Sequence, residues 1–270
     1  MRVTAALLIL LTNDDGIYAP GLAALEHALA RLGDVVVVAP ATEQSGVGHS
    51  ITYLRPLIVK EVFEGQRRRG WAVEGSPADC VKLGIFECCP RRPDLVVSGV
   101  NSGLNAGINV LYSGTVAAAI EGAFFGITSF AVSLEFDEHA NYERAAELAT
   151  DLIRQTVDSA DREPRLNGTR LFNVNLPREA LVDERPRARF AAMSTTRYDD
   201  QYEKRIDPRG RSYFWASADQ RPQAAGESDE ALLDQGFITV TPLGFDLTRH
   251  ELLPRLRDWE FSLPPPGAGP

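Results

Sequence analysis

Two adjacent carboxylates, Asp14 and Asp15, are the side chains of this sequence best placed to do chemistry. They directly follow the apolar run Ala5–Leu11, which is typical of a buried strand. Adjacent carboxylates repel each other unless a cation lies between them or one of them is protonated. A hard divalent ion such as Mg²⁺ or Mn²⁺ prefers oxygen ligands and would relieve this repulsion. An Asn-Asp-Asp-Gly turn without a metal is the alternative, because these residue types favour loops anyway.

Three further polar segments, 43–50, 98–107 and 112–115, follow predicted strands or begin a predicted helix. The first offers a hydroxyl on a glycine-rich backbone, and also His49, which is either a site residue or a surface histidine. The second offers side-chain amides beside three glycines. The third begins a helix, whose N–H groups and dipole attract anions, although a plain serine N-cap is the commoner explanation. Since ligands bind at the carboxyl ends of strands in an open α/β sheet, these segments together predict a metal-and-phosphate pocket.

The motifs of several other enzyme classes are missing from the sequence. It contains no P-loop and only three lysines, and it has no Gly-x-Ser-x-Gly segment. The glycine spacing of 98–107 is not that of a dinucleotide-binding motif. The three cysteines form no Cys-x-x-Cys, so neither a zinc knuckle nor a disulfide framework is indicated. The four histidines lack helical pairing, so a histidine metal site or a triad would need distant residues to converge.

The composition is that of a globular, acidic protein. Of the 270 residues, 44% are hydrophobic and 24% are charged, which allows a full core to be buried. The net charge of −9 gives no general attraction for duplex nucleic acid, so we expect no such partner. No apolar run approaches the ~18 residues of a membrane span, and Ala5–Leu11 is not followed by a signal-peptide cleavage site. We therefore expect a cytoplasmic protein with no membrane association.

Alternating apolar runs and amphipathic segments predict an α/β fold with a doubly wound, mostly parallel, Rossmann-like sheet. Runs of β-branched residues without polar alternation, such as Val35–Val38, suit parallel strands that are covered on both faces. The predicted strands are Ala5–Leu11, Val35–Val38, Asp94–Val97, Phe130–Leu134, Leu171–Leu176 and Phe237–Val240. The predicted helices are Pro20–Gly33, Gly114–Phe125 and Tyr142–Val157. A capping-box pattern at Thr248–Glu251 predicts one more helix near the C-terminus.

The chain divides by composition into four parts. Residues 1–194 are predicted to form the Rossmann-like catalytic core, and residues 231–263 a C-terminal strand and helix. Residues 195–230 are polar, contain the turn sequence Asp-Pro-Arg-Gly and carry aromatic side chains, which predicts a projecting β-hairpin for oligomerisation. A long loop folded back on its own domain is the alternative. Residues 264–270 are rich in proline and glycine and are predicted to be a disordered tail.

Several motifs of the chain, taken together, closely resemble the SurE survival-protein family. They occur in order over residues 7–134 and again over 237–248. The motifs are Leu11–Gly16, Ala19–Gly21, Val38–Pro40, Ser45–Gly46, Gly75–Val81, Pro93–Gly103, Tyr112–Ala119, Ile238–Leu243 and Asp246–Thr248. The chain departs from the family at Ala41, where an aspartate is usual, and in the 195–230 insert, which matches only at Asp207–Gly210.

The resemblance implies a metal-dependent phosphatase that hydrolyses nucleoside 5′-monophosphates, with 3′-monophosphates as an open alternative. It implies one divalent metal ion per subunit, Mg²⁺ or Mn²⁺, with the ligands Asp14, Asp15, Ser45 and Asn101. Asp14 and Asp15 would also be the catalytic residues. The positions that would bind the substrate phosphate are Asn105, Ser113, Gly114 and Thr115. The resemblance further implies a homodimer or homotetramer with exchanged C-terminal segments.

Two other functions remain open from the sequence. A non-catalytic regulatory module would keep the nucleotide pocket without turnover. A phosphatase of the haloacid dehalogenase type would use Asp14 as a nucleophile, but that class needs Asp-x-Asp, whereas here the two acids are adjacent.

Overall fold

A central β-sheet flanked by helices organises the chain in the computed structural model, which describes residues 6–160, 170–196, 201–217 and 226–262. The strands are β1 (Leu7–Thr12), β2 (Gly33–Pro40), β3 (Val59–Glu64), β4 (Arg67–Val73), β5 (Leu95–Ser102), β6 (Thr128–Leu134), β7 (Leu171–Leu176), β8 (Ala188–Phe190), β9 (Gln201–Ile206), β10 (Ser212–Ser217) and β11 (Ile238–Pro242). The helices are α1 (Pro20–Leu29), α2 (Pro77–Leu83), α3 (Gly114–Phe124), α4 (Tyr142–Ala160), α5 (Arg178–Val182), α6 (Asp229–Leu233) and α7 (Leu253–Leu256). Residues Gly84–Cys88 form a π-helical turn, and residues Gly107–Leu111 form a 3-10 turn.

Nine of the described strands form one sheet, in the order β3-β4-β2-β1-β5-β6-β7-β11-β8. The six strands from β4 to β7 are all parallel, whereas β3 is antiparallel to β4 and β11 is antiparallel to β7. From β1 the chain adds β2 and β4 on one side, then returns and adds β5, β6 and β7 on the other. This confirms the predicted doubly wound α/β fold. Its ligand crevice is expected where the order reverses, at the carboxyl ends of β1 and β5.

Helices cover both faces of the sheet, as the unalternating strands predict. On β1, Ile9 and Leu11 pack on the face of α1 and α4, whereas Leu10 packs on the face of α2. All three side chains are fully buried. The core therefore runs through both faces of β1, and the polar residues that follow this strand emerge directly from it. Within the described ranges, no helix combines the length and the apolar character needed to cross a membrane.

The first and the last of the predicted helices differ most from the observed ones. The first begins at Pro20 as predicted but ends at Leu29, and Gly33 already pairs with Leu7 in the sheet. The predicted capping box at Thr248–Glu251 is wrong. The Thr248 N–H instead donates to Asp246 Oδ1 at 2.9 Å, and the short helix α7 begins only at Leu253.

Some observed elements were not predicted from the sequence, and one helix crosses a predicted boundary between segments. Strands β3 and β4 and helix α2 were missed. Helix α6 spans the predicted boundary between 195–230 and 231–263, and its residue Asp229 is fully buried. The predicted start of the first strand at Ala5 and the predicted tail 264–270 lie outside the described residues.

Strands β9 and β10 form a separate antiparallel two-stranded sheet, which confirms the predicted hairpin. Asp207 closes its turn, because its Oδ1 accepts the N–H groups of Arg209 and Arg211 at 2.8 and 2.9 Å. Every side chain of β9 is exposed, and so are those of residues 212–216 in β10. The described part of the chain therefore leaves the faces of this hairpin uncovered.

Candidate active site

The loop after β1 places Asp14 and Asp15 at the crevice between β1 and β5. Asn13 fixes this loop, since its Oδ1 accepts the Gly16 N–H at 3.2 Å and its Nδ2 donates to the Gly16 carbonyl at 3.0 Å. Gly16 has a φ of +102°, a conformation that favours glycine. The residues typical of a turn thus hold the loop, while the two carboxylates are directed to other contacts.

Asp14 lies against the first turn of α3. It is only 5% exposed, and its Oδ1 accepts the hydroxyl proton of Thr115 at 2.5 Å. Gly114 permits this close approach, because a Cβ at that position would lie 2.9 Å from the Cβ of Asp14. The segment predicted to bind phosphate therefore contacts a residue predicted to bind metal, which supports the prediction of a single pocket.

Asp15 reaches the neighbouring strand β5. It is half-buried, and its Oδ2 accepts the N–H of Ser102 at 3.4 Å. Asn101, the preceding residue, donates its Nδ2 to the Gly103 carbonyl at 2.7 Å. Because the nitrogen is used in this way, the Oδ1 of Asn101 is the atom that it can offer to a cation.

The loop after β2 brings Ser45 to the crevice, together with a carboxylate that the sequence prediction missed. Gln44 donates its N–H to the Asp14 carbonyl at 2.7 Å, which ties the two loops together. Ser45 is exposed and donates its hydroxyl to Glu43 Oε1 at 2.6 Å. The charge of Glu43 acts on both Asp14 and Asp15. The position of Glu43 inside the predicted site segment 43–50 was the signal that could have identified it.

Negative charge is concentrated in this crevice. Burial, and to a smaller extent the charge of Glu43, raises the pKa of Asp14, although the hydrogen bond from Thr115 opposes this shift. Burial and repulsion by Asp14 raise the pKa of Asp15 to about 6. Both ionised carboxylates are therefore less stable here than in water, and a bound cation would reverse both shifts.

Asn105 is attached to the strands beside the crevice. Its Nδ2 donates to Ser133 Oγ at 2.9 Å, and its N–H donates to Asn175 Oδ1 at 2.8 Å. The side chain of Asn173 in turn donates to the Asn105 carbonyl at 2.7 Å. These contacts fix the loop after β5 to β6 and β7. A phosphate-binding role for Asn105 stays a prediction.

The hydroxyls at the start of α3 are engaged within the chain. Ser113 is the N-cap, and its Oγ accepts the Val116 N–H at 3.1 Å. The hydroxyl of Thr115 is bonded to Asp14, and its N–H also faces that carboxylate. What the helix can offer to a phosphate is therefore its dipole and the remaining backbone N–H groups near Gly114.

The donor set fits a hard divalent cation. Asp14, Asp15, Ser45 and Asn101 offer carboxylate, hydroxyl and amide oxygens, the atoms that Mg²⁺ and Mn²⁺ prefer. The neighbouring charges that raise the pKa values of the two aspartates are themselves carboxylates. In the part of the chain that the structure describes, no three His, Cys, Asp or Glu side chains form a metal cluster. Neutral oxygens would therefore have to complete the ligand shell.

Comparison with known protein families adds evidence independent of this geometry. Residues 9–204 match the family model described as survival protein SurE, which is well over half of the chain. The chain belongs to the SurE family. Every candidate metal-binding and phosphate-binding residue lies inside the region that matches.

SurE proteins of other organisms match almost the whole chain. It is 53% identical over 255 residues to a Rhodopirellula baltica protein named 5′-nucleotidase SurE, covering 94% of this chain and 98% of that protein. It is 43% identical over 258 residues to the 5′-nucleotidase SurE of Heliobacterium modesticaldum, covering 93% and 91%. The crystal structure of the SurE protein from Aquifex aeolicus matches with a TM-score of 0.79 at 35% identity, covering 93% of this chain and 98% of that one. The α/β fold described above is therefore the SurE fold.

Proposed function

We propose that this member of the SurE family is a metal-dependent 5′-nucleotidase, which hydrolyses nucleoside 5′-monophosphates to nucleoside and phosphate. The contact between Asp14 and the first turn of α3 carries the proposal. It joins a two-carboxylate cation site to a helix N-terminus that attracts anions, and together these can bind the phosphate of a monoester and neutralise its charge. Relatives with the name 5′-nucleotidase SurE support the substrate class.

Asp14 and Asp15 are the proposed catalytic residues, and with Ser45 and Asn101 they are the proposed ligands of one Mg²⁺ or Mn²⁺ ion per subunit. When bound, such an ion would neutralise phosphate charge and acidify a water molecule. The hydroxyl of Thr115 orients the Asp14 carboxylate before any ion binds. The N–H of Ser102, at the end of β5, does the same for Asp15.

The start of α3 is the proposed binding site for the substrate phosphate. Ser113, Gly114 and Thr115 are the proposed phosphate-binding residues. The backbone N–H groups of Ser113 and Gly114 would face phosphoryl oxygens whose negative charge redistributes in the transition state, whereas the Thr115 N–H already faces the Asp14 carboxylate. Because Asp14 packs directly on Gly114, a phosphate bound there would lie beside the candidate metal ligands. Asn105 is proposed to line the same pocket, with its position fixed by β6 and β7.

Release of inorganic phosphate from AMP, GMP and 3′-AMP, with Mn²⁺ and with excess chelator, tests the proposal. We expect hydrolysis of the 5′-monophosphates that chelator abolishes and Mn²⁺ or Mg²⁺ restores. Undiminished hydrolysis by metal-stripped protein would contradict the mechanism. Nucleotide binding without turnover would indicate a regulatory module, and a phosphate trapped covalently on Asp14 would indicate the aspartyl-phosphate class.

We further propose that the protein forms a homodimer or homotetramer through the β9–β10 hairpin and the segment after β11. Exposed aromatic side chains of the hairpin support this, namely Tyr202, Tyr213, Phe214 and Trp215. An isolated two-stranded hairpin is only marginally stable in water, so a partner surface is expected to cover these side chains. Tyr198, which the sequence prediction assigns to the same arm, lies outside the described residues. A cytoplasmic location stays a prediction.

A further inference from the structure

A buried carboxylate outside the crevice, Glu121, lies near the C-terminal end of α3. It is only 4% exposed. A carboxylate buried to this degree is costly unless it is paired and hydrogen-bonded. The proposed mechanism gives Glu121 no part in binding or catalysis, so its presence in the helix needs another explanation.

Two basic side chains from other parts of the chain meet Glu121. His49 Nε2 lies 2.7 Å from Glu121 Oε2, and Nζ of Lys82, on α2, lies 3.8 Å from Glu121 Oε1. The His49 ring also stacks on Phe124 of α3, with ring centroids 5.2 Å apart. His49 thus attaches the loop after β2 to α3 by a polar contact and a ring contact together.

The same loop carries Ser45. On one side of Ser45, the Gln44 N–H donates to the Asp14 carbonyl at 2.7 Å. On the other side, the Gly48 N–H donates to the Tyr112 carbonyl at 3.0 Å, and His49 follows immediately. Ser45 is itself exposed and its hydroxyl donates to Glu43 of the same loop, so the position of Ser45 relative to Asp14 depends on these attachments.

Helix α3 contacts both the loop after β1 and the loop after β2. Gly114 and Glu121 are seven residues apart, which puts them on the same face of the helix at a separation of about 10 Å. Gly114 packs on Asp14, and Glu121 contacts His49. One face of one helix therefore supports both the loop of the two aspartates and the loop of Ser45.

We propose that His49 and Glu121 are positioning residues, whose pair fixes the loop after β2 on α3 and thereby holds the Ser45 hydroxyl over Asp14 and Asp15. This inference rests on the proposed function, in which Ser45 is a metal ligand. Loss of the groups that orient metal ligands typically lowers metal affinity by roughly 10–100-fold. Because His49 and Glu121 act on Ser45 through the backbone of the loop, the lower end of that range is expected.

Paired variants separate the contact from the bulk of the side chains. Glu121→Leu and His49→Phe remove the polar contact, and His49→Phe keeps a ring that can stack on Phe124. Glu121→Gln and His49→Gln keep a hydrogen-bonding group at the same place. Mn²⁺ affinity, measured by titration calorimetry without substrate, should fall about tenfold in the first pair and less than about threefold in the second.

A second measurement follows the loop without any metal. Amide hydrogen exchange of the peptide 43–50 in the metal-free protein should accelerate in Glu121→Leu and His49→Phe, and much less in the two glutamine variants. At saturating Mn²⁺, kcat should recover most of the wild-type value, because the catalytic aspartates remain in place. Rescue by added metal is not expected from a defect that is merely structural.

Glu26→Gln is the matched control, since Glu26 pairs with Arg69 at 2.9 Å in another partly buried ion pair. It should change neither the Mn²⁺ affinity nor the exchange of 43–50. Unchanged Mn²⁺ affinity in folded Glu121→Leu or His49→Phe overturns the inference, as does an equal loss in the control. If Glu121→Leu does not fold, His49→Phe decides. Should the wild type bind no Mn²⁺, the proposed function fails, and unchanged exchange would then refute the pair as the anchor of the loop.

Discussion

The crevice and the β9–β10 hairpin are both built from polar segments, yet the chain covers the first and leaves the second exposed. In the crevice, Asp14 is almost fully buried and is contacted by the loop after β2 and by α3. On the hairpin, Phe214 and Trp215 are each 59% exposed. The chain after β11 is similar to the hairpin, because Leu247 is 84% and Trp259 is 66% exposed.

This difference indicates where the structure of each region is determined. Contacts among the loops after β1 and β2 and helix α3 fix the crevice, so its geometry is set within the chain. The hairpin and the segment after β11 carry large apolar side chains without such contacts, which is typical of surfaces that bind another protein. We therefore expect substitutions in the crevice to change activity, and substitutions in the hairpin to change assembly.

The largest effect is expected from the loss of one carboxylate in the crevice. Asp14→Asn and Asp15→Asn each remove a charged candidate ligand, so kcat for AMP hydrolysis should fall by several orders of magnitude. Circular dichroism and light scattering should show the wild-type fold and oligomeric mass, because the hairpin is untouched. A kcat near that of the wild type at saturating Mn²⁺ would contradict the assignment of that residue.

A smaller loss is expected when the approach of α3 to Asp14 is blocked. In Gly114→Ala, the new Cβ would lie 2.9 Å from the Asp14 Cβ, so the carboxylate has to move. A displacement of about 1 Å near reacting groups costs about 10²-fold in rate. Alanine favours the helix itself, so the helix is expected to form. Steady-state kinetics should show the loss in kcat.

Gly244→Ala is the control for this variant, because a Cβ at Gly244 meets nothing within 4 Å. It should keep the kcat of the wild type. If Gly114→Ala keeps it too, the contact between α3 and Asp14 does not determine activity.

Removal of the hairpin should change the oligomeric mass without changing the metal affinity of the crevice. Replacing Gln201–Ser217 by a short Gly-Ser linker should lower the mass measured by light scattering, since each buried aromatic side chain contributes roughly 1.5–3 kcal/mol. The Mn²⁺ affinity of the shortened protein should stay that of the wild type. Tyr53→Ser, which changes an exposed aromatic residue elsewhere, serves as the control. A shortened chain with the wild-type mass would refute the role of the hairpin.

The smallest effect concerns the pH dependence of stability in the metal-free protein. The pKa of Asp15 is raised to about 6 from an ordinary value of 3.8. Protonation of Asp15 therefore stabilises the folded protein relative to the unfolded chain. This stabilisation is fully present below the pKa of the unfolded chain, and it is lost as the pH rises through about 6. In chelator, Asp15→Asn should melt roughly 2–4 °C above the wild type at about pH 8, and by a smaller margin at about pH 4.5. A margin independent of pH would show that ionisation of Asp15 does not destabilise the fold.

Much of the fold could be predicted because its signals are local. Pro20 marks the start of α1, and Ser113 and Gly114 mark the start of α3. Strands β3 and β4 were missed because β3 is exposed at all but one position and β4 begins with three arginines, so neither forms a long apolar run. Helix α2 had a usable signal in the capping box of Ser76 and Asp79.

The sequence predicted the residues of the candidate site more completely than the contacts between them. The residue types alone indicated Asp14, Asp15 and the segment 112–115, whereas Ser45 and Asn101 entered as ligands through the resemblance to the family. Sequence patterns did not predict that the hydroxyl of Thr115 bonds to Asp14, since 100 residues separate the two in the chain. The pairing of His49 with Glu121 was missed for the same reason, whereas Glu43 had a local signal in its position inside the segment 43–50.

The sequence by itself determined the buried strands and the helices α1, α3 and α4, the oxygen-rich loops that follow β1, β2 and β5, and membership of the SurE family. These properties depend on hydrophobic periodicity, turn residues and motifs, all of which act over a few residues. Only the tertiary structure decided which polar groups meet: Asp14 with α3, Asp15 with Ser102, and the Ser45 loop with Glu121. Such contacts join distant segments through the packing of the sheet, and burial then sets the electrostatics of the carboxylates. Local patterns therefore predict the residues of this site, whereas packing determines their geometry and charge.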